Sequence, residues 1–143
     1  MAITFDFRES PSELFGKIFR PFALVEFKHQ TKGVWIPVPM LVDTGADYSI
    51  LPRSFASLLG IDLATDCIEH QTRGIGGTEK IFLYRRQVVR LGKYERSIPL
   101  GFLDRETGPT LLGRHECLET LRVLLAEHKT RFVNPRAKKY AVH

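Results

Sequence analysis

The chain has 143 residues, enough for one domain with a buried core, and its apolar fraction of 43% and charged fraction of 26% are those of an ordinary soluble globular protein. No apolar run approaches the ~20 residues needed to cross a bilayer as a helix, and Met1 to Phe7 shows no basic stretch followed by an apolar one, so neither a membrane nor a secretory role is expected. Two cysteines, Cys67 and Cys117, are too few for a disulfide framework or a metal cluster, and read as reduced, packed thiols of a cytoplasmic protein.

The net charge of +5 lies partly in Arg131, Arg136, Lys138 and Lys139. These residues are spread along a tail without a recognisable reading motif, which favours a solvated basic tail over a nucleic-acid site. His29, His70, His115, His128 and His143 have no metal-ligand spacing among them, so no metal is expected.

In chain order, Ile3-Thr4-Phe5-Asp6-Phe7 is strand-like and lies in an N-terminal extension of residues 1–20, where it is a candidate dimer-interface strand. Phe22–Lys28 and Val34–Val38 flank a turn at Gln30-Thr31-Lys32-Gly33 and predict a hairpin. Pro37 and Pro39 remove ladder donors, which places the second strand at an edge or gives it a bulge. The strand resumes at Met40 and carries Leu41 and Val42 into Asp43. Pro52–Gly60 predicts a short helix, with Pro52 near its first turn and Gly60 closing it in the left-handed conformation. Cys67–Arg73 and Glu79–Leu91 predict two strands joined by Gly74-Ile75-Gly76-Gly77; Gly92-Lys93-Tyr94 turns into a further strand over Arg96–Leu103. Leu118, Leu121, Leu124 and Leu125 follow helical spacing and predict one longer C-terminal helix, before a last strand at Thr130–Val133. The sum is a mainly-β, barrel-like domain over residues 21–134, with a basic tail at 135–143.

One stretch carries chemistry. In Leu41-Val42-Asp43-Thr44-Gly45-Ala46 an apolar strand ends on a carboxylate at a tight turn. Burial and a second carboxylate nearby both raise a carboxyl pKa, which is how such a group becomes a general acid or base. Neither Ser49 nor Ser54 has a base near it in sequence, so a serine nucleophile has no support.

Asp43-Thr44-Gly45 after an apolar strand, the glycine-rich hairpin Gly74 to Gly77, and Leu111-Leu112-Gly113-Arg114 follow one another in an order that resembles the retropepsin-like aspartic proteases, from about Phe22 to Val133. The resemblance implies a retropepsin-like acid-protease barrel and an aspartic endopeptidase without a cofactor. By position it makes Asp43 the catalytic residue, Thr44 a hydrogen-bonding partner across a twofold axis, and Gly45 the point of close substrate approach. Ala46 follows in the same motif. Asp47 and Arg114 match the pair that braces the site floor, Gly113 packs behind that floor, and Gly74, Ile75, Gly76 and Gly77 form the flap. His115 stands where the family often has Asn or Asp.

Asp-Thr-Gly occurs once and Asp-Ser-Gly not at all. Two-carboxylate chemistry therefore requires a second copy, and the expected partners are a homodimer mate and a peptide or protein substrate. The competing expectation is a protease-fold module that binds a peptide or partner with little turnover.

Overall fold

The computed structural model describes residues 2–74 and 76–135. The chain runs β1 (Ala2–Asp6), β2 (Arg8–Ser12), β3 (Gly16–Arg20), β4 (Phe22–Lys28), β5 (Trp35–Val42), β6 (Ser49–Pro52), α1 (Ser54–Leu58), α2 (Leu63–Asp66), β7 (Ile68–Gly74), β8 (Gly77–Leu91), β9 (Tyr94–Leu103), β10 (Leu111–Leu112), a 3-10 turn at Leu118–Thr120, β11 (Arg122–Ala126) and β12 (Lys129–Val133). The main sheet has the order β4-β5-β10-β6-β9-β8-β7, and a further β4–β8 pairing closes all but β7 into a barrel.

Alternation fills the barrel. Ala23, Val25 and Phe27 of β4 and Val38 and Met40 of β5 are buried at every second position, as a pleated strand dictates, while β9 is buried at Ile98 and then without a break from Leu100 to Leu103. Leu51 and Leu112 complete the interior beneath the turn that follows β5.

The two prolines of β5 are accommodated by their direction. Leu41 N–H and the Pro39 carbonyl both point at Thr110, on the β10 side of the strand. Pro37 and Pro39 therefore direct their missing donors to that same side, before β10 begins at Leu111, so no ladder bond is lost. The strand is an edge along that part of its length.

Gly60 lies at φ +77° just past α1, as expected for a helix closed by a left-handed glycine. Pro52 is the last residue of β6 rather than part of the helix. A second short helix, α2, starts at Asp62, whose side chain accepts from the N–H groups of Ala64 and Thr65.

The predicted longer C-terminal helix is not present. Leu118 and Leu121 are buried, but the chain then extends as β11, where Leu124 and Leu125 are 55% and 45% exposed. Glu127 and His128, at φ 53° and 57°, form a two-residue turn, and β12 pairs back from Arg122↔Val133 to Ala126↔Lys129. Hairpin pairing overrides the helical spacing of the leucines.

β1 joins the other side of β12, from Ala2↔Val133 to Asp6↔Lys129, giving a three-stranded sheet β1-β12-β11. It packs on the barrel through Ile3, Phe5 and the fully buried Phe132, with the Phe5 and Phe132 rings edge-on at 6.1 Å. Among the described residues β2 and β3 pair only with each other. Residues 136–143 of the predicted basic tail lie outside the described residues.

Candidate active site

The site is built where β5 runs out. Val42 is buried and Asp43 half-buried, while Thr44, Gly45 and Asp47 are exposed. The Asp43 N–H donates to the Leu112 carbonyl at 3.0 Å, and the Asp43 carbonyl accepts from Ala46 N–H at 3.1 Å, which closes the turn. The carboxylate itself is oriented from within the turn: Oδ1 accepts the Gly45 N–H at 3.0 Å. A Cβ on Gly45 would lie 3.3 Å from that same oxygen, so a side chain there would crowd the carboxylate.

A floor lies behind the turn. β10 inserts between β5, to which it runs parallel, and β6, which it meets antiparallel at Leu111↔Ile50. The chain leaving β10 then laces the turn from the other side: Arg114 N–H donates to Ala46 O at 3.0 Å and His115 N–H to Asp47 O at 2.7 Å. The Arg114 guanidinium meets the Asp47 carboxylate at 2.6 Å. Gly113 lies so close to Tyr48 that a Cβ would fall 2.3 Å from its carbonyl carbon. The Gly113 N–H donates to the buried Ser49 Oγ at 3.0 Å. Among the described residues the structure thus brings Asp43 to Asp47 together with Gly113 and Arg114.

The His115 ring turns away from this seam. Its nitrogens lie 3.5 Å from the Glu116 carboxylate and 4.0 Å from that of Glu119. Only the backbone N–H of His115 serves the turn, and any residue but proline supplies that group.

The glycine-rich segment is a hairpin tip. β7 and β8 pair from Ile68↔Leu83 to Gly74↔Gly77, and Gly76 has open space around it. Ile75 lies outside the described residues. Arg105 Nε donates to Glu79 Oε1 at 2.7 Å and ties the hairpin to the segment after β9. A cleft of about 1000 Å³ lies between the α1–α2 segment and the root of this hairpin, lined by Arg53, Ser54, Leu63, Glu69 and Phe82 among others, but not by Asp43. No group of three or more His, Cys, Asp or Glu side chains among the described residues is arranged to hold a metal.

Sequence reasoning missed the part played by Ser49. It is 1% exposed, accepts the Gly113 N–H, and also hydrogen-bonds the Cys117 thiol. A lone hydroxyl in the apolar strand Ser49-Ile50-Leu51-Pro52 was the available signal. Burial drives the Cys117 thiol up to about 12, against the opposing Ser49 hydrogen bond, and burial aided by Asp66 and Asp62 raises Cys67 to about 11.

A ring-like sheet with Asp-Thr-Gly at a strand end and an apolar-apolar-Gly-Arg segment threaded behind it defines a protease-type barrel. A family model described as aspartyl protease matches residues 28–115, more than half of the chain, and the chain belongs to this retropepsin-like family. Comparison with curated proteins finds no match. The matched segment contains every residue from Asp43 to Arg114 and leaves out β1 to β3, all of β4 but Lys28, the 3-10 turn, β11 and β12.

Proposed function

We propose that the protein is an aspartic endopeptidase, active as a twofold homodimer in which two Asp43 carboxyl groups share one site. The observation that carries this reading is the Asp43 carboxylate: it is held by the Gly45 N–H where β5 ends on the buried Val42, and the Asp-Thr-Gly motif occurs once per chain. Two carboxyl groups about 3 Å apart cannot both ionise, so they share a proton. The ionised member takes a proton from a bound water, which attacks the scissile carbonyl. The protonated member hydrogen-bonds the carbonyl oxygen and then protonates the leaving amine. None of these steps calls for a metal or cofactor.

Thr44 and Gly45, both exposed beside Asp43, would line the junction with the second copy and the approach of the substrate backbone. An extended peptide would lie as an added strand between this floor and the Gly74–Gly77 hairpins. Cys67 and Cys117 are both free thiols, which suits a reducing compartment such as the cytoplasm. Fractionation that finds the chain only in an oxidising compartment would remove that placement.

The test is Asp43→Asn. Peptide cleavage is expected to disappear while dimer mass and thermal stability are kept. Cleavage that survives the substitution would overturn the assignment.

A further inference from the structure

Leu14 and Phe15 are adjacent, and they are the most exposed of the large apolar side chains among the described residues, at 86% and 74%. They form the tip of the β2–β3 hairpin, whose strands pair from Arg8↔Arg20 to Ser12↔Gly16. Contacts that fasten the hairpin lie towards its root. His128 stacks on Phe19 at 4.2 Å and on Phe7 at 5.8 Å, and the Arg8 guanidinium lies 5.0 Å over the Phe22 ring. A lone two-stranded hairpin is marginally stable in water. An apolar tip held clear of its own core therefore needs a second surface.

The root of the hairpin adjoins the catalytic turn. The Pro21 carbonyl, one residue after β3, accepts the Val42 N–H at 2.8 Å, and Phe22 is paired with Leu41. If Asp43 sits on a twofold axis, the hairpin springs from the margin of the dimer face. Five-residue strands reach roughly 17 Å, enough to carry the tip from that margin onto a second protomer.

A stable interface buries about 800 Å² on each partner. The turn from Asp43 to Asp47 offers only short, mostly polar side chains to such a face. The terminal strand β1 is already paired along its whole length with β12 of its own chain, so one of its edges is spent. A buried phenylalanine contributes on the order of 150–250 Å², and a leucine beside it adds to that. The hairpin tip thus holds the apolar area that the catalytic seam lacks. It lies outside the segment shared with the family model.

We propose that the β2–β3 hairpin is a dimerisation arm whose tip, Leu14 and Phe15, is covered by a second copy of this chain. The proposal rests on the shared-site reading of Asp43. The arm sets the concentration at which the site assembles, and it does not touch the reacting atoms.

The experiment compares the full chain with the double variant Leu14→Asp/Phe15→Asp by sedimentation equilibrium and by peptide cleavage, each over a concentration series. The arm predicts a dimer dissociation constant raised by ~100-fold, the scale expected on losing two apolar anchors. Activity per chain falls on dilution and recovers at high concentration. Hydrogen exchange of the Glu13 to Phe15 amides in the unmodified chain should slow as the dimer forms, a readout that does not depend on how the variant folds. A wild-type dimer that the variant matches in affinity, with no slowing of those amides, overturns the arm and leaves the shared site standing. Unchanged dimerisation with a raised KM assigns the tip to substrate and also overturns it. A chain that cleaves peptide as a strict monomer removes the shared site and the arm together.

Discussion

Gly113 and Tyr48 touch backbone to backbone: a Cβ at position 113 would lie 2.3 Å from the Tyr48 carbonyl carbon and 2.4 Å from its oxygen. Real atoms do not approach so closely, and the neighbour here is main chain in the strand-end turn that carries Asp43. Gly113→Ala therefore has to push β10 away from that turn. Overpacking of a rigid site costs about 1–3 kcal/mol and sometimes more, and this contact belongs at the upper end. Urea unfolding should show a loss of ~3 kcal/mol or more, with cleavage abolished. A variant with the stability of the parent would show that the floor is looser than the geometry implies.

Ser49→Ala tests the same floor through a hydrogen bond. Ser49 Oγ accepts the buried Gly113 N–H at 3.0 Å. Removing the acceptor strands a buried donor, at a cost of about 1–3 kcal/mol. The midpoint of urea unfolding should fall accordingly with the slope unchanged. A change under ~0.5 kcal/mol would mean that the N–H finds another partner.

Arg114→Met separates bracing from stability. The Asp47 and Arg114 side chains are 80% and 48% exposed, and exposed ion pairs contribute at most about 1 kcal/mol. The backbone bonds from Arg114 to Ala46 and from His115 to Asp47 remain in the variant. Stability should therefore change little, while kcat drops at least ~10-fold if the pair fixes the turn beside the second protomer. Equal losses in both readouts would reduce the pair to an ordinary structural contact.

The two thiols give a pH signature. Cys117 is held at about 12 by burial, against an ordinary value of 9.0. Its neutral form is the one the fold favours, so the contribution to stability is intact below pH 9 and is lost as pH rises from 9 towards 12, where only the unfolded chain has ionised the thiol. Thermal melts should weaken across that window. At pH 8 a thiol reagent should label native Cys117 hardly at all and the half-buried Cys67 slowly, whereas both react after unfolding. Rapid labelling of Cys117 in the native protein would contradict its burial.

How much of this was legible in the sequence depended on the pattern each segment carries. The barrel strands were readable because Ala23, Val25 and Phe27 alternate with outward positions, and because Ile98 to Leu103 is an apolar run that is buried throughout from Leu100 onward. The elements of the site floor were readable from Asp43-Thr44-Gly45 and Leu112-Gly113-Arg114, but their physical junction at Tyr48 and Ser49 was not, because it joins segments more than sixty residues apart. The C-terminal helix was misread because four leucines matched a helical period, and the turn that makes β11 and β12 a hairpin uses Glu127-His128 instead of a residue pair such as Asn-Gly. The β2–β3 hairpin gave no apolar alternation at all: Arg8-Glu9-Ser10-Pro11-Ser12 is polar with a proline inside, and Gly16 at φ +76° is its one recognisable turn residue.

The central claim is that two chains contribute one Asp43 each to a single site. Mixing wild-type protein with Asp43→Asn and allowing subunits to exchange tests it most directly. A shared site predicts that activity per wild-type chain falls to about half at equal amounts and continues down as the variant is added, because mixed dimers hold one carboxylate where two are needed. Activity per wild-type chain that stays constant throughout the titration would contradict it.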